Sequence, residues 1–114
     1  MIKSNQSLKT NFEFNITRKY GKYYSSKFFH LYILKPLNYK GIAKLGIVIS
    51  NKFDKRAVVR NRVKRLFKIS FTNFINESQD LWVVVHPKVS SKDKKVDEIR
   101  LDVENTLKDI KLPK

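Results

Sequence analysis

The sequence predicts a small single domain of the α+β class, and three observations carry that expectation. Apolar residues recur at helical spacing in three stretches, and three other runs are short and rich in branched or aromatic residues, as strands are. Taken in order, these stretches read helix, two or three strands, helix, strand, helix, with one strand–helix–strand unit near the middle. Finally, 114 residues with 41% hydrophobic and 12% aromatic content suit one core and are too apolar for a disordered basic tail. The chain has no Cys, which excludes disulfide frameworks, thiolate metal sites and thiol catalysis. A domain of this size buries about two thirds of its unfolded surface and needs no such staple.

Residues 1–7 read as a flexible polar tail and 8–114 as a single folded domain. Asn11 to Tyr20 is expected to be a short helix, with Phe12 and Ile16 on one side and Phe14 and Arg18 on a neighbouring one. Gly21 is placed to stop it. Lys27 to Leu34 is a strand with an apolar face of Phe29, Leu31 and Ile33 and an opposite face of Phe28, His30, Tyr32 and Leu34. Tyr23 and Tyr24 are candidates for a short extra strand before it. Pro36 to Gly41 is a turn. Ile42 to Ser50 is nearly all apolar, which predicts a central strand, and Gly46 within it marks a close approach of another group. Asp54 is the expected N-cap of a long helix from Lys55 to about Asn76, whose buried stripe is Val59, Val63, Leu66, Phe67, Ser70 and Phe74. Leu81 to Val85 is a buried strand closed by Pro87, and Val96 to Lys111 an amphipathic helix with Ile99, Val103, Leu107 and Ile110 on its apolar face.

The net charge of +15 is unevenly divided. Residues 1–68 hold 12 Lys and 5 Arg against Glu13 and Asp54, which is +15, and residues 69–114 hold 7 Lys and Arg100 against eight acids, which is zero. A surface selected only for solubility mixes signs, so a one-sided excess points to a polyanion. The excess peaks between Lys55 and Lys68, with seven cations and no acid in fourteen residues. At 100° per residue Arg60, Lys64 and Lys68 form one row and Asn61 and Arg65 the adjacent one. Arg62 lies at the other edge of the apolar stripe and Arg56 near the helix start. Such a ridge repels itself by a few tenths of a kcal/mol per like-charged pair. A polyanion relieves all of these repulsions together. In a chain with 19 Lys to 6 Arg, four Arg between 56 and 65 is an informative choice, because guanidinium forks grip phosphate bidentately and ammonium groups do not.

The run Lys52-Phe53-Asp54-Lys55-Arg56-Ala57-Val58-Val59-Arg60-Asn61-Arg62-Val63-Lys64-Arg65 resembles the signature of the bacterial ribonuclease P protein component, whose hallmark is an Ala-Val-x-Arg-Asn-Arg-x-Lys-Arg block. The aromatic run Ser26 to Tyr32, the strand from Gly46 into Lys52 and the strand from Asp80 to Val85 extend the resemblance to about residues 8–110. It implies a fold like the second domain of ribosomal protein S5, with a left-handed β–α–β crossover. It also implies a role as the protein subunit of an endoribonuclease that removes the 5′ leader of precursor tRNA, with one protein per catalytic RNA. The catalyst is then the RNA, with Mg2+ bound there and no cofactor on the protein. Carried over by position, Arg60, Asn61, Arg62, Lys64 and Arg65 face the RNA, with Lys68 extending the row and Arg56 beside it. Phe14 and Tyr32 fall at positions of a cleft for the single-stranded leader, with Phe28 and His30 on the face of Tyr32. Arg18 stands where the family usually has a second aromatic residue, which makes this cleft more electrostatic.

The residues offer no catalyst of their own. The basic half has only Glu13 and Asp54, too few carboxylates to hold nuclease metal ions. Its two imidazoles, His30 and His86, lie on separate strands, and no Gly-rich phosphate loop or nucleophile elbow is present. The opening residues lack the apolar run of a signal peptide and no 18-residue apolar stretch occurs, so no membrane partner and a cytoplasmic location are expected. A ribosomal or general RNA-binding protein shares this charge and fold class. A DNA-binding protein that lays the basic helix in a major groove is a further class, but DNA is not the partner that the resemblance implies.

Overall fold

The computed structural model describes residues 6–37 and 39–110. Helix α1 (Asn11–Tyr20) opens with a reciprocal cap. The Thr10 hydroxyl accepts the Glu13 N–H, and the Glu13 carboxylate accepts the Thr10 N–H at 3.0 Å, so two otherwise unpaired donors are satisfied. Gly21 ends the helix, but not through a left-handed conformation, since its φ is −73°. A Cβ there would lie 2.4 Å from Thr17 O and 2.9 Å from Ile33 O, so the backbone of α1 approaches the sheet too closely for any side chain.

Three strands follow, β1 (Lys22–Ser25), β2 (Phe29–Leu34) and β3 (Lys44–Ile47), then α2 (Ala57–Glu77), β4 (Trp82–Pro87) and α3 (Val96–Lys108). The optional strand at Tyr23-Tyr24 therefore exists as β1. Strand β2 starts two residues later than expected because the Ser26 hydroxyl accepts the N–H groups of both Phe28 and Phe29, turning the chain there. The sheet order is β1-β2-β4-β3, antiparallel except for the β3–β4 pair, which α2 connects.

Strand β3 is an edge strand, and the expectation that it is central is corrected. Its apolar composition has another cause. Leu45 and Ile47 face the main core, Gly46 lies under Phe14, and the open edge is covered by the chain start, where Ser7 bridges Leu45 and Leu8 N–H donates to Leu45 O at 3.1 Å. The interior strands are β2 and β4, each paired on both sides. Gln6 and Ser7 thus belong to the folded domain, and Gln6 Nε2 donates to Asn76 Oδ1 at 2.7 Å. The rest of the polar tail, 1–5, lies outside the described residues.

Helices α2 and α3 cover one face of the sheet. Val63, Phe67 and Ser70 are buried as expected, joined by Phe71 and Ile75, while Val59, Leu66 and Phe74 are half-buried at the margins. Phe29 meets Phe67 and Phe71 edge-on at 5.8 and 5.6 Å, a favoured aromatic geometry. Ile99 and Val103 of α3 close this core, with Leu107 and Ile110 packed against it. Helix α3 ends at Lys108, and Lys111, the expected end, lies outside the described residues. A buried carboxylate on α3, Asp102, accepts from the Ser26 hydroxyl at 2.8 Å and ties the β1–β2 turn to the helix layer.

The start of α2 also departs from expectation. The N-cap is Arg56, without a side-chain cap, and Asp54 sits two residues upstream. The Asp54 carboxylate accepts the Arg56 N–H at 2.8 Å and a two-point guanidinium fork from Arg56 at 3.1 and 3.0 Å, and it pairs with Lys92 Nζ at 3.1 Å. It anchors the loop before the helix instead of its first turn.

Candidate nucleic-acid interface

The other face of the sheet carries α1 and is mostly polar and aromatic. Strand pairing sets Tyr23, Tyr32, Val84 and Gly46 side by side in one row and Ser25, His30 and His86 in the next. Because side chains alternate along strands, all of these point away from the α2–α3 core. Tyr23 and Tyr32 are 5.2 Å apart between ring centroids, Tyr32 meets His86 edge-on at 5.7 Å, and Tyr23 stacks on His30 at 5.7 Å. The Tyr23 hydroxyl and His30 Nδ1 share a hydrogen bond of 2.5 Å. The result is a continuous ring surface across three strands.

Helix α1 forms one wall beside this surface. Phe14 lies against Gly46, where an added Cβ would stand 2.2 Å from the ring. Phe14 and Arg18 line a cleft of about 270 Å³ together with Asn11, Ile47, Ile49 and, from the opposite side, Lys64 of α2. Arg18 Nη2 donates to Asn15 Oδ1 at 2.7 Å, which steadies the guanidinium on the helix. Burial, then the Arg18 charge and His30, lower the pKa of His86. Burial and the Lys88 charge lower that of His30. Both shifts favour the neutral imidazole in the free protein, and an arriving anion would favour the charged form.

The signature residues divide into two groups. Three hold the protein to itself: Arg56 is engaged by Asp54, Arg60 Nη1 donates to Asp54 O and Lys55 O at 2.8 and 2.9 Å, and Arg62 Nη2 donates to Lys92 O. Among the described residues, Asn61, Lys64, Arg65 and Lys68 have neither a hydrogen bond nor an ion pair from their side chains. The free cations are thus one contiguous strip along α2, and Lys64 joins that strip to the cleft.

Of the residues expected to share the cleft, Phe14 and Arg18 line it, while His30 and Tyr32 lie on the adjoining ring surface, whose His86 feels the Arg18 charge. Phe28 does not join them. It precedes β2, packs against the inner core and is covered by Lys27 Nζ and Lys94 Nζ at 5.5 and 5.7 Å from its ring. Strand alternation fails for Phe28 because the Ser26 turn intervenes. Sequence reasoning missed Tyr23 and His86 as members of this surface. Tyr23 becomes one only through the β1–β2 register, and His86 only through its place opposite His30. Among the described residues no group of three or more His, Cys, Asp or Glu could hold a metal ion, and no helix is long and apolar enough to cross a membrane.

A family model described as Ribonuclease P matches residues 2–111. The chain is 38% identical over 110 residues to the ribonuclease P protein component of Clostridium novyi (strain NT), covering 94% of this chain and 95% of the relative. It is 34% identical over 105 residues to that of Clostridioides difficile (strain 630), covering 90% of each. Among solved structures, the RNase P protein of Staphylococcus aureus superposes with a TM-score of 0.78 at 25% identity, covering 90% of this chain and 93% of that one. That of Thermotoga maritima does so with 0.76 at 25% identity, covering 92% and 97%. A family model over nearly the whole chain, relatives 34–38% identical over at least 90% of it and a shared fold leave one conclusion: the chain belongs to the bacterial ribonuclease P protein component family.

Proposed function

We propose that this chain is the RNA-binding subunit of a cytoplasmic ribonuclease P ribonucleoprotein, holding the catalytic RNA on α2 and the single-stranded 5′ leader of precursor tRNA in the cleft beside α1. The observation that carries this reading is the junction at Lys64, where an unpaired cationic strip meets the cleft walled by Phe14 and Arg18. A strip of Asn61, Lys64, Arg65 and Lys68 suits the phosphates of a folded RNA. A cleft of Phe14 and Arg18 with the adjoining rings of His30, Tyr32, Tyr23 and His86 suits unstacked bases, each stack being worth about 1–3 kcal/mol. Arg56, Arg60 and Arg62 act one step back in this reading, fixing the angle at which α2 presents its free cations. Catalytic chemistry, with its Mg2+, belongs to the RNA. This chain orients the substrate and screens phosphate repulsion, so the assembly works at lower Mg2+.

Reconstitution tests it. Added to a bacterial ribonuclease P RNA at low Mg2+, one protein per RNA should stimulate 5′ cleavage of precursor tRNA. Absence of stimulation would leave only a general RNA-binding role. With about five phosphates contacted, affinity should fall by about two to three decades for a fourfold rise in salt. Tyr32→Ala should weaken binding of leader-bearing substrate more than that of mature tRNA, and equal losses would reject a leader cleft.

A further inference from the structure

Helix α1 has a second flank that the cleft does not use. Phe12, Ile16 and Tyr20 recur every four residues along it and face Leu34, Leu37 and Trp82 across a groove of about 450 Å³. That volume lies in the range of small-ligand sites, about 300–1,000 Å³. Its rim is unusually apolar for a surface: Phe12 is 65% exposed, Tyr20 63% and Leu37 93%. Scattered exposed hydrophobics need no explanation, but contiguous ones beside a groove mark an interaction site. Trp82 lines the groove as a half-buried ring.

The charge around the groove selects its occupant. Lys35 lines it, and Lys19 Nζ stands 5.3 Å from the Tyr20 ring centroid. The nearest carboxylate on α1, Glu13, is already taken by the Thr10 cap and by Lys44 at 3.6 Å. A second copy of a +15 chain would bring these lysines against their own equivalents, whereas a polyanion with flat apolar units fits both the rings and the cations. We propose that this groove is a second base-binding site for single-stranded RNA, which stacks on Phe12 and Tyr20 and sets its phosphates on Lys19 and Lys35. The inference rests on the reading above that the chain binds single-stranded leader. It adds that a strand longer than the first cleft crosses α1 and is gripped on both of the helix's flanks.

The chain has a single Trp, and it borders the groove, so binding reports itself. A single-stranded oligoribonucleotide of about ten nucleotides, titrated into the full chain, should quench Trp82 emission saturably. The double variant Phe12→Ala with Tyr20→Ala removes only exposed rings and leaves the core intact. Loss of two stacks should raise the RNA concentration needed for half-maximal quench at least about thirtyfold, while Tyr32→Ala should retain it. A quench that follows Tyr32 and ignores Phe12 and Tyr20 overturns the second site and leaves the first cleft standing. If the oligoribonucleotide binds by neither fluorescence nor filter retention, the RNA-binding reading itself fails. If the double variant instead abolishes self-association in sedimentation, or binding to phosphatidylglycerol vesicles, with the RNA titration unchanged, the groove serves another partner and the inference is overturned.

Discussion

Gly46 shows how one missing side chain shapes the site. Phe14 occupies the space a Cβ would need, at 2.2 and 2.5 Å from its ring atoms, and Leu8 follows at 3.3 Å. Gly46→Ala should push the Phe14 ring off the sheet, lowering stability by about 1–3 kcal/mol and weakening leader binding. Urea melts and leader titration measure the two effects separately, and unchanged leader affinity would mean that Phe14 does not line the bound strand. The sequence flagged Gly46 as a close approach without naming the visitor, because the partner comes from α1, 32 residues earlier in the chain. His86 was illegible for a related reason: its neighbours Tyr32, His30 and Arg18 come from two other elements. Its pKa and that of His30 are lowered by burial and by the Arg18 and Lys88 charges. A leader phosphate would offset those charges and favour imidazolium, so binding should take up protons. Leader affinity should therefore rise as pH falls from about 7.5 to about 6, and His86→Gln should flatten the profile. A profile of the same slope in the variant would remove His86 from the bound surface.

Among the elements, α2 was the most legible and β3 the least. The stripe and the cation rows of α2 follow from a 3.6-residue period that needs no tertiary information. An apolar strand, by contrast, is central or a covered edge depending on what reaches it, and here the cover is Leu8 and Phe14. Nor could periodicity tell that Arg60 and Arg62 turn inward to carbonyls, since their acceptors lie in the preceding loop and at Lys92. The entry to α2 depends on Asp54. The Arg56 fork and N–H, with Lys92, hold its carboxyl well below the usual carboxylate range. Since the folded-state pKa is the lower one, this clamp is fully stabilising above the unfolded value of about pH 4 and is lost as pH falls below it toward the folded value. Asp54→Asn should therefore melt earlier than the parent at neutral pH, and the difference should shrink between about pH 4 and about pH 2. A difference that stays constant through that range would show that the carboxylate charge is not what anchors the loop.

At the scale of the molecule, charge and core are separated along the chain. The first 68 residues carry the whole net charge, while the neutral remainder supplies β4 and α3 and, through Asp102, braces the turn before the cleft strand. This separation makes stability and RNA affinity independently adjustable. Ile99 is fully buried in the layer where α3 meets the core, on the side of the sheet away from α1. Ile99→Ala should cost about 2–5 kcal/mol, with each kcal/mol lowering Tm by about 4–8 °C in a domain of this size. At temperatures where the variant is still folded, its affinity for the catalytic RNA and its salt dependence should match the parent. The converse variant, Lys64→Ala with Arg65→Ala and Lys68→Ala, should leave Tm unchanged or raise it, because it removes side chains that repel one another. Its salt slope should drop by about two to three units, near 0.9 per lost phosphate contact. Thermal melts and salt titrations on the two variants form a crossed test. If loss of Ile99 changed the salt slope, or loss of the three cations lowered Tm, the α3 layer and the cationic strip would be coupled and the core would not be a separate frame for binding.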